Sequence, residues 1–432
     1  MTRGGPARVV LAPDSFKGSL AAAQVAAALA RGWRSVRPGD VVVEAPLADG
    51  GEGTLDAFER AVPGAVRHPV TVTGPDGRPV GASWLALPDG TAVVELACAS
   101  GLTLLGAPAP LDAHTRGVGE VVRAALAAGP RRLVVALGGS ASSDGGAGLL
   151  RALGARVLDD DGAEVPDGGR GIARVASVDL AGLPALPPGG VDVLCDVTSP
   201  LLGRSGAAAV FGPQKGATPD DVRLLDDALG RWVDALEVAG VVPRGTSSAA
   251  GAGAAGGTAF GLLAWGARLV PGAAAVADAV GLDALLADAD LVVTGEGRLD
   301  AQSATGKAPA EVARRAARAG ARLALVVGEA EPGAAAALAA FAADAVAADA
   351  QGAGALHEPR AQAQAQAQAQ ALALRSDAPA ERACPSRCHG GATPEVVELV
   401  ALAGTRDASL AEPVRWLEAA GARLATHAVE HP

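Results

Sequence analysis

The sequence has few aromatic residues and few cysteines, and both shortages limit what the chain can be. It contains no tyrosine, one methionine, five phenylalanines and four cysteines among 432 residues. Because 50% of the residues are nonetheless hydrophobic, the core must be built from alanine, valine and leucine. Four cysteines in a chain of this length do not form a disulfide framework. The length predicts two or three domains.

The sequence also lacks a basic run, a signal peptide and a membrane-spanning segment. The net charge of −11 and the absence of a lysine and arginine run exclude a surface for nucleic acid or for an anionic membrane. The N-terminus has no apolar segment of signal-peptide length. The Ala-rich stretch 333–350 is interrupted by Asp344 and Asp349, so it is not hydrophobic enough to span a membrane. We therefore expect a soluble cytoplasmic protein.

Short apolar runs that end in polar, glycine-rich loops are the main positive feature. Five such loops each carry a carboxylate, and they span residues 12–19, 45–54, 138–146, 195–200 and 295–307. One loop of this kind can be an ordinary turn, but five are hard to explain in that way. In open α/β sheets, ligands bind at the carboxyl ends of the strands. The last loop combines two carboxylates, an arginine, a hydroxyl and a lysine, which suit a phosphate and its metal ion.

The order of the patterns predicts an α/β protein with a discontinuous domain. Residues 66–96 change to period-two alternation with two Pro-Asp-Gly turns, which predicts a β-meander and a domain boundary near residue 65. We expect one α/β domain from residues 1–65 plus 290–432 and an inserted α/β domain from residues 66–289. Residues 351–392 contain an Ala-Gln tract without a repeating apolar face, which predicts a disordered low-complexity insertion.

Three motifs suggest other chemistry but lack part of what that chemistry needs. Gly251–Gly256 matches the dinucleotide fingerprint GxGxxG, yet residues 243–250 before it have the composition of a loop and not of a strand. Close packing or approach to a ligand backbone is the better interpretation of these glycines. Gly306-Lys307 is not a Walker A motif, because alanines occupy two of its required positions. Cys384–His389 supplies at most three zinc ligands.

Seven motifs together resemble the bacterial type-1 glycerate kinase family. In order they are APDSFKGSL, PLADGGEGT, GGSASSDGGAG, CDVTSPLLG, AAVFGPQKGA, GAGAAGG and TGEGRLDAQSATGK, and the resemblance covers about residues 8–330. It implies a phosphotransferase with an alcohol acceptor that uses ATP to convert D-glycerate to 2- or 3-phosphoglycerate. It also implies two α/β domains, one of them flavodoxin-like and discontinuous, with the active site in the cleft between them. The family normally continues beyond residue 330 without a long insertion.

The seven motifs contain the candidate site residues, for which we infer the following roles. The catalytic candidates are Asp300, Asp49 and Lys17, and Asp300 is our first choice for the base. The candidates for ATP binding are Gly138, Gly139, Ser140, Asp144, Lys215, Gly253, Gly256 and Lys307. The candidates for substrate binding are Asp14, Ser15, Arg298 and Ser303, with Arg298 suited to the carboxylate. The candidates for Mg²⁺ are Asp196 and Glu296.

Other functions stay open at this point. A kinase for another small hydroxy acid would need the same residues, and an NAD-dependent oxidoreductase would use the loop Gly251–Gly256. A non-catalytic binding or scaffold protein would have kept the fold alone, but the intact charged loops argue against it. The sequence does not distinguish the 2- from the 3-hydroxyl, nor a monomer from a dimer, and it predicts no nucleic-acid or membrane partner.

Overall fold

The computed structural model describes residues 6–300, 303, 307–350 and 394–430. The Ala-Gln tract and the cluster Cys384–His389 lie outside the described residues. The chain divides into two compact units. The first contains the described residues up to Ala48 and from Ala277 onward, and the second contains Asp49–Val276.

The elements alternate strand and helix over most of the chain. The first unit begins with β1 (Arg8–Leu11), α1 (Ala22–Val36) and β2 (Val41–Glu44). The second unit begins with α2 (Thr54–Ala61), β3 (Val66–Thr73), β4 (Pro79–Ala86), β5 (Thr91–Glu95), α3 (Ala97–Ser100), α4 (Arg116–Ala127), β6 (Arg132–Ala136), α5 (Ala147–Leu153), β7 (Arg156–Leu158), α6 (Gly169–Ile172) and β8 (Ser177–Asp179). It continues with β9 (Val191–Leu194), α7 (Ala207–Phe211), α8 (Pro219–Val238), α9 (Ala254–Trp265), β10 (Arg268–Val270) and α10 (Gly272–Val280), the last of which crosses the division between the units.

The first unit then resumes and continues to the C-terminal helix. Its remaining elements are α11 (Leu282–Leu286), β11 (Leu291–Thr294), β12 (Arg298–Leu299), α12 (Ala308–Ala319), β13 (Arg322–Val327), β14 (Glu329–Ala330), α13 (Ala334–Ala350), β15 (Glu395–Glu398), α14 (Leu399–Ala403), α15 (Arg406–Ala411) and α16 (Pro413–Glu430).

The first unit is built on a five-stranded sheet with the order β15-β13-β11-β1-β2. All four pairings are parallel, and Val9 of β1 lies opposite Leu291 of β11. The central strands β1, β11 and β13 are almost wholly buried, which explains their continuous apolar runs. Because every strand runs in the same direction, the segments that follow them emerge at one edge of the sheet.

Helix α16 packs closely on α1 and attaches the end of the chain to the first unit. A Cβ atom added to Gly32 would lie 2.0 Å from the carbonyl oxygen of Glu418, and one added to Gly421 would lie 2.3 Å from that of Leu29. The two backbones therefore approach each other where neither helix carries a side chain. An ion pair of 2.7 Å between Arg31 and Glu418 lies beside this contact.

The second unit is built on a six-stranded sheet with the order β10-β9-β6-β5-β4-β3. Strands β3, β4 and β5 pair antiparallel, which confirms the β-meander predicted for residues 66–96. The pairings from β5 to β10 are parallel. The protein is thus an α/β protein with two mainly parallel sheets.

The compact units begin and end at other residues than the sequence-based domains. Helix α2 contacts β4 and β5, so it belongs with the second unit although the sequence-based boundary lies after it. The division into domains of 1–65 plus 290–432 and of 66–289 stays a prediction. Among the described residues, no helix is both long and apolar enough to cross a membrane. The cytoplasmic location also stays a prediction.

Candidate active site

A pocket of about 280 Å³ lies at the carboxyl edge of the sheet in the first unit. Its lining comes from the segments that follow four of the five strands. These segments contribute Ser15 and Lys17 after β1, Glu296, Arg298 and Asp300 after β11, Gly328 after β13, and Leu399 and Val400 after β15. Residues that are far apart in the sequence therefore share one pocket, and they bring charges of both signs into it.

Glu296 is the buried carboxylate of this pocket. Burial raises its pKa, whereas a hydrogen bond from Ser303 and the charges of Lys307 and Lys17 oppose that shift. The Oε1 atom is buried and accepts no hydrogen bond within the described part of the chain. A buried carboxylate oxygen without a partner is costly, so this atom suits a ligand that carries positive charge. Glu296 therefore fits the predicted role as a Mg²⁺ ligand.

Asp300 and Ser303 form a turn beside Glu296. The amide of Asp300 donates to the Ser303 hydroxyl at 3.0 Å, and the amide of Ser303 donates to Oδ1 of Asp300 at 3.2 Å. Asp300 is half-buried and lines the pocket. Ser303 is fully buried and hydrogen-bonded to both carboxylates. Its hydroxyl thus positions Asp300 and Glu296, and the contact with substrate expected for Ser303 stays a prediction.

Arg298 and Asp14, both expected to bind the substrate, also form bonds with other groups of the protein. Arg298 lines the pocket, but its Nη2 donates to Oε1 of Glu331 at 2.8 Å, and this contact is the main cause of its raised pKa. Asp14 is 3% exposed, and its Oδ1 accepts the amide of Ser15 at 2.6 Å. Asp14 therefore fixes the loop that presents Ser15 to the pocket.

Two glycine-rich loops of the second unit meet at their backbones. The amide of Gly138 donates to the carbonyl of Gly50 at 3.3 Å. A Cβ atom on Gly138 would lie 2.3 Å from the Cα atom of Gly51, so no larger residue fits there. Gly139 has φ of +74°, a conformation that favours glycine. The loop with Asp49 and the loop with Ser140 are thus brought together.

Asp144 is buried and fully engaged within the second unit. Its Oδ2 accepts the amide and the hydroxyl of Thr115 at 2.9 and 2.8 Å and the amide of Gly148 at 3.2 Å. Its Oδ1 accepts the amide of Gly146 at 3.2 Å, just before α5 begins. These bonds make Asp144 a structural support for the 138–146 loop and leave little capacity for the direct ATP contact predicted from the sequence.

Lys215 lies against the same loop and is 2% exposed. Its Nζ donates to the carbonyl of Ser142. Burial lowers the pKa of Lys215 to about 8, and the charge of Asp144 opposes that effect. A Cβ atom on Gly256 would lie 2.0 Å from the Ser142 oxygen and 2.9 Å from Nζ of Lys215. The motifs 138–146, 211–216 and 251–257 therefore converge at one place in the second unit.

Close packing explains the glycines at 251–257. A Cβ atom on Gly253 would lie 2.2 Å from the carbonyl oxygen of Pro200. Residues 255–257 all adopt left-handed backbone conformations inside the span of α9. The motif is preceded by a 3₁₀ turn at Thr246–Ser248, and not by the strand that a dinucleotide site requires. The structure therefore does not support the NAD interpretation of this loop.

Asp196, the second predicted Mg²⁺ ligand, lies at the start of α10. Its two carboxylate oxygens accept the amides of Gly272 and Ala273, each at 2.7 Å. A carboxylate in this position also stabilises the helix dipole. Within the described residues, no group of three or more His, Cys, Asp or Glu residues could hold a metal ion. That finding is compatible with Mg²⁺, which commonly uses one or two carboxylates together with phosphate oxygens.

Two features of the sites were missed at the sequence level. Glu95, at the end of β5, accepts the amides of Gly53 and Leu55 at 3.2 and 3.0 Å and so fixes the loop that carries Asp49. The pocket of the first unit also has a wall from beyond residue 394, which includes Arg406 and Ser409.

The three lysines of the chain are Lys17, Lys215 and Lys307. Lys17 and Lys307 line the pocket of the first unit, and Lys215 is buried under the glycine-rich loops of the second. All lysine ammonium groups therefore lie in the predicted phosphate-binding motifs.

Comparison with known proteins identifies the relatives of this chain. Residues 9–376 match the family model described as the glycerate kinase family. The chain is 47% identical over 315 residues to a glycerate kinase of Bacillus subtilis, covering 72% of this chain and 81% of that protein. It is 44% identical over 311 residues to the glycerate 2-kinase of Escherichia coli, covering 71% and 81%.

A solved structure gives the same result. The crystal structure of a protein named as glycerate kinase 2 from Salmonella typhimurium LT2 matches with a TM-score of 0.66 and 38% identity, covering 86% of this chain and all of that one. The family match, the sequence identity and the shared fold agree with one another. The chain belongs to the glycerate kinase family.

Proposed function

We propose that the chain transfers the γ-phosphoryl group of ATP to D-glycerate with the help of Mg²⁺. Membership of the family makes the protein a glycerate kinase, an enzyme that phosphorylates glycerate and uses ATP. The proposal adds the D-enantiomer, the metal ion and the residues that act. The observation that carries it is the pocket in which Lys17 and Lys307 act electrostatically on the buried carboxylate of Glu296.

The strand order supports a flavodoxin-like first domain. Numbered within this unit, the order β2-β1-β11-β13-β15 is 2-1-3-4-5, the flavodoxin-like order of doubly wound sheets. In that order ligands bind at the switch point between the first and third strands. Lys17 follows β1 and Glu296 follows β11, so both lie at this point. The interdomain cleft that the resemblance implies stays a prediction.

The residues of this pocket fit the parts of a phosphoryl transfer. Lys17 and Lys307 provide positive charge for the transferred phosphoryl group, and Glu296 provides the ligand for the metal. Mg²⁺, when bound, neutralises negative charge on the phosphate oxygens. Asp300 is held by its turn with Ser303. It accepts the proton of the glycerate hydroxyl as the oxygen bonds to phosphorus and ADP leaves. Arg298 and Ser15 line the same pocket, and we propose them as contacts for the substrate.

The glycine-rich loops of the second unit are proposed to bind ATP. Their contribution is the backbone amides of 138–146 and 251–257, together with the hydroxyl of Ser140. Lys215 supports this surface from beneath, because its ammonium is bonded to the carbonyl of Ser142. Asp49 is the alternative base, and Asp196 the alternative metal ligand. Their individual roles are proposals.

The name of the Escherichia coli relative favours the 2-hydroxyl of glycerate as the acceptor. On this basis we propose 2-phosphoglycerate as the product. A ³¹P NMR spectrum of the reaction mixture distinguishes it from 3-phosphoglycerate, and a signal of the 3-isomer alone would contradict the assignment.

A substrate panel tests the proposed function. The protein is mixed with Mg-ATP and with D-glycerate, L-glycerate, lactate or another small hydroxy acid, and the release of ADP is measured. We expect the highest kcat/KM with D-glycerate and loss of activity when EDTA removes Mg²⁺. If another hydroxy acid has a higher kcat/KM, that acid and not D-glycerate is the preferred substrate. A titration with NADH, followed by fluorescence, should show no saturable binding.

A further inference from the structure

We propose that Arg406 binds the carboxylate of the hydroxy-acid substrate. This inference rests on the proposed function and adds a residue from the C-terminal segment to the substrate site. Arg406 begins α15, which α14 separates from the edge strand β15. Its side chain lines the same pocket as Lys17, Glu296 and Asp300.

The other cations of the pocket already act on carboxylates of the protein. The charges of Lys17 and Lys307 oppose the rise in pKa that burial imposes on Glu296, and Arg298 forms an ion pair of 2.8 Å with Glu331. Arg406 differs from them, because within the described residues its guanidinium has no ion pair or side-chain hydrogen bond. A cationic pocket residue without a protein carboxylate as partner suits an anionic ligand.

The chemistry of the guanidinium selects a carboxylate. Its planar fork donates two parallel hydrogen bonds to the two oxygens of a carboxylate, which a lysine cannot do. The neighbouring wall is partly apolar, with Leu399, Val400 and Leu410, and the Ser409 hydroxyl donates to the carbonyl of Arg406 at 3.1 Å. Glycerate presents one carboxylate, two hydroxyls and a short carbon chain. Arg406 with this wall can therefore bind the carboxylate end, while Asp300 accepts the hydroxyl proton.

Steady-state kinetics of Arg406→Gln test this assignment. We expect the KM for D-glycerate to rise about 10- to 100-fold, the range of a lost charge-assisted pair. The KM for ATP should change by less than about twofold. Arg406→Lys should fall between the wild type and Arg406→Gln, because lysine keeps the charge but not the fork.

A matched control separates substrate binding from folding. Arg423 is an exposed arginine of α16 outside the pocket, so Arg423→Gln removes the same charge from the same segment and should leave both KM values unchanged. An equal rise of the glycerate KM in both variants would show a structural effect and overturn the assignment. A rise of the ATP KM alone would identify a phosphate contact and also overturn it.

The failure of this inference differs from the failure of the proposed function. If the wild type releases no ADP with D-glycerate, the proposed function is refuted, and the assignment of Arg406 to the glycerate carboxylate is refuted with it. If the wild type is active and Arg406→Gln has unchanged KM values, only the assignment of Arg406 is refuted.

Discussion

Glu95 should make the stability of the protein depend on pH between about 4.5 and 7. Its carboxylate is 6% exposed, and burial raises its pKa from 4.5 to about 7 although the amides of Leu55 and Gly53 donate to it. In this pH range the folded protein keeps a proton that the unfolded chain releases. The stabilisation is therefore complete below about pH 4.5 and is lost as the pH rises through the folded pKa.

The size of the effect follows from the pKa shift. One pKa unit corresponds to about 1.4 kcal/mol, so the whole shift corresponds to about 3 kcal/mol. Glu95→Gln cannot titrate. We expect the free energy of unfolding of the wild type, measured relative to that of Glu95→Gln, to fall by about 2 to 3 kcal/mol between pH 5 and pH 8.

Urea denaturation of both proteins at several pH values measures this difference. Glu52→Gln is the control, since Glu52 is an exposed carboxylate of the same loop and only a minor cause of the raised pKa of Glu95. It should keep the pH dependence of the wild type. If the wild type and Glu95→Gln lose stability in parallel from pH 5 to pH 8, the burial argument for Glu95 is refuted.

Three further variants test the catalytic site, the helix packing and the second unit. Asp300→Asn should lower kcat by at least about 100-fold and leave the KM for ATP nearly unchanged in an ADP-release assay, and near-normal turnover would eliminate the base assignment. Gly32→Ala should lower the free energy of unfolding, measured in urea, by about 1 to 3 kcal/mol, because its Cβ would lie 2.0 Å from a carbonyl oxygen of α16. The control Gly39→Ala, whose Cβ would meet no atom within 4 Å, should be nearly neutral. Equal effects of the two substitutions would contradict the packing argument. Lys215→Met should raise the KM for ATP by about tenfold or more and the KM for glycerate much less, and the reverse pattern would exclude an ATP-binding role for this part of the second unit.

The strands and the edge at which the pocket lies were predictable from the sequence. Parallel strands buried on both faces have continuous apolar runs, and β1 and β11 show them directly before polar loops. The Pro-Asp-Gly turns predicted the meander, because they fix where the chain reverses. Lys17, Glu296 and Asp300 were found in this way, and all three line the pocket.

The roles of individual carboxylates were not predictable, because they depend on contacts between distant segments. Asp144 has the residue type and position of a ligand-binding carboxylate, yet Thr115 and the amides of Gly146 and Gly148 occupy it. Glu95 ends an apolar run and gives no local sign that it binds the amides of Gly53 and Leu55. Arg406 follows the low-complexity segment, so no nearby motif pointed to it.

The pairing of β1 with β11 sets an order for folding during synthesis. Val9 pairs with Leu291, and the C-terminal α16 packs on α1, so the first unit needs both ends of the chain. All residues of the second unit leave the ribosome before β11 does. Domains generally fold as units during translation. The inserted unit can therefore fold before β11 and α16, with which the N-terminal segment packs, have been synthesised. A nascent chain stalled before residue 394 would therefore lack the edge strand β15 and the wall that carries Arg406.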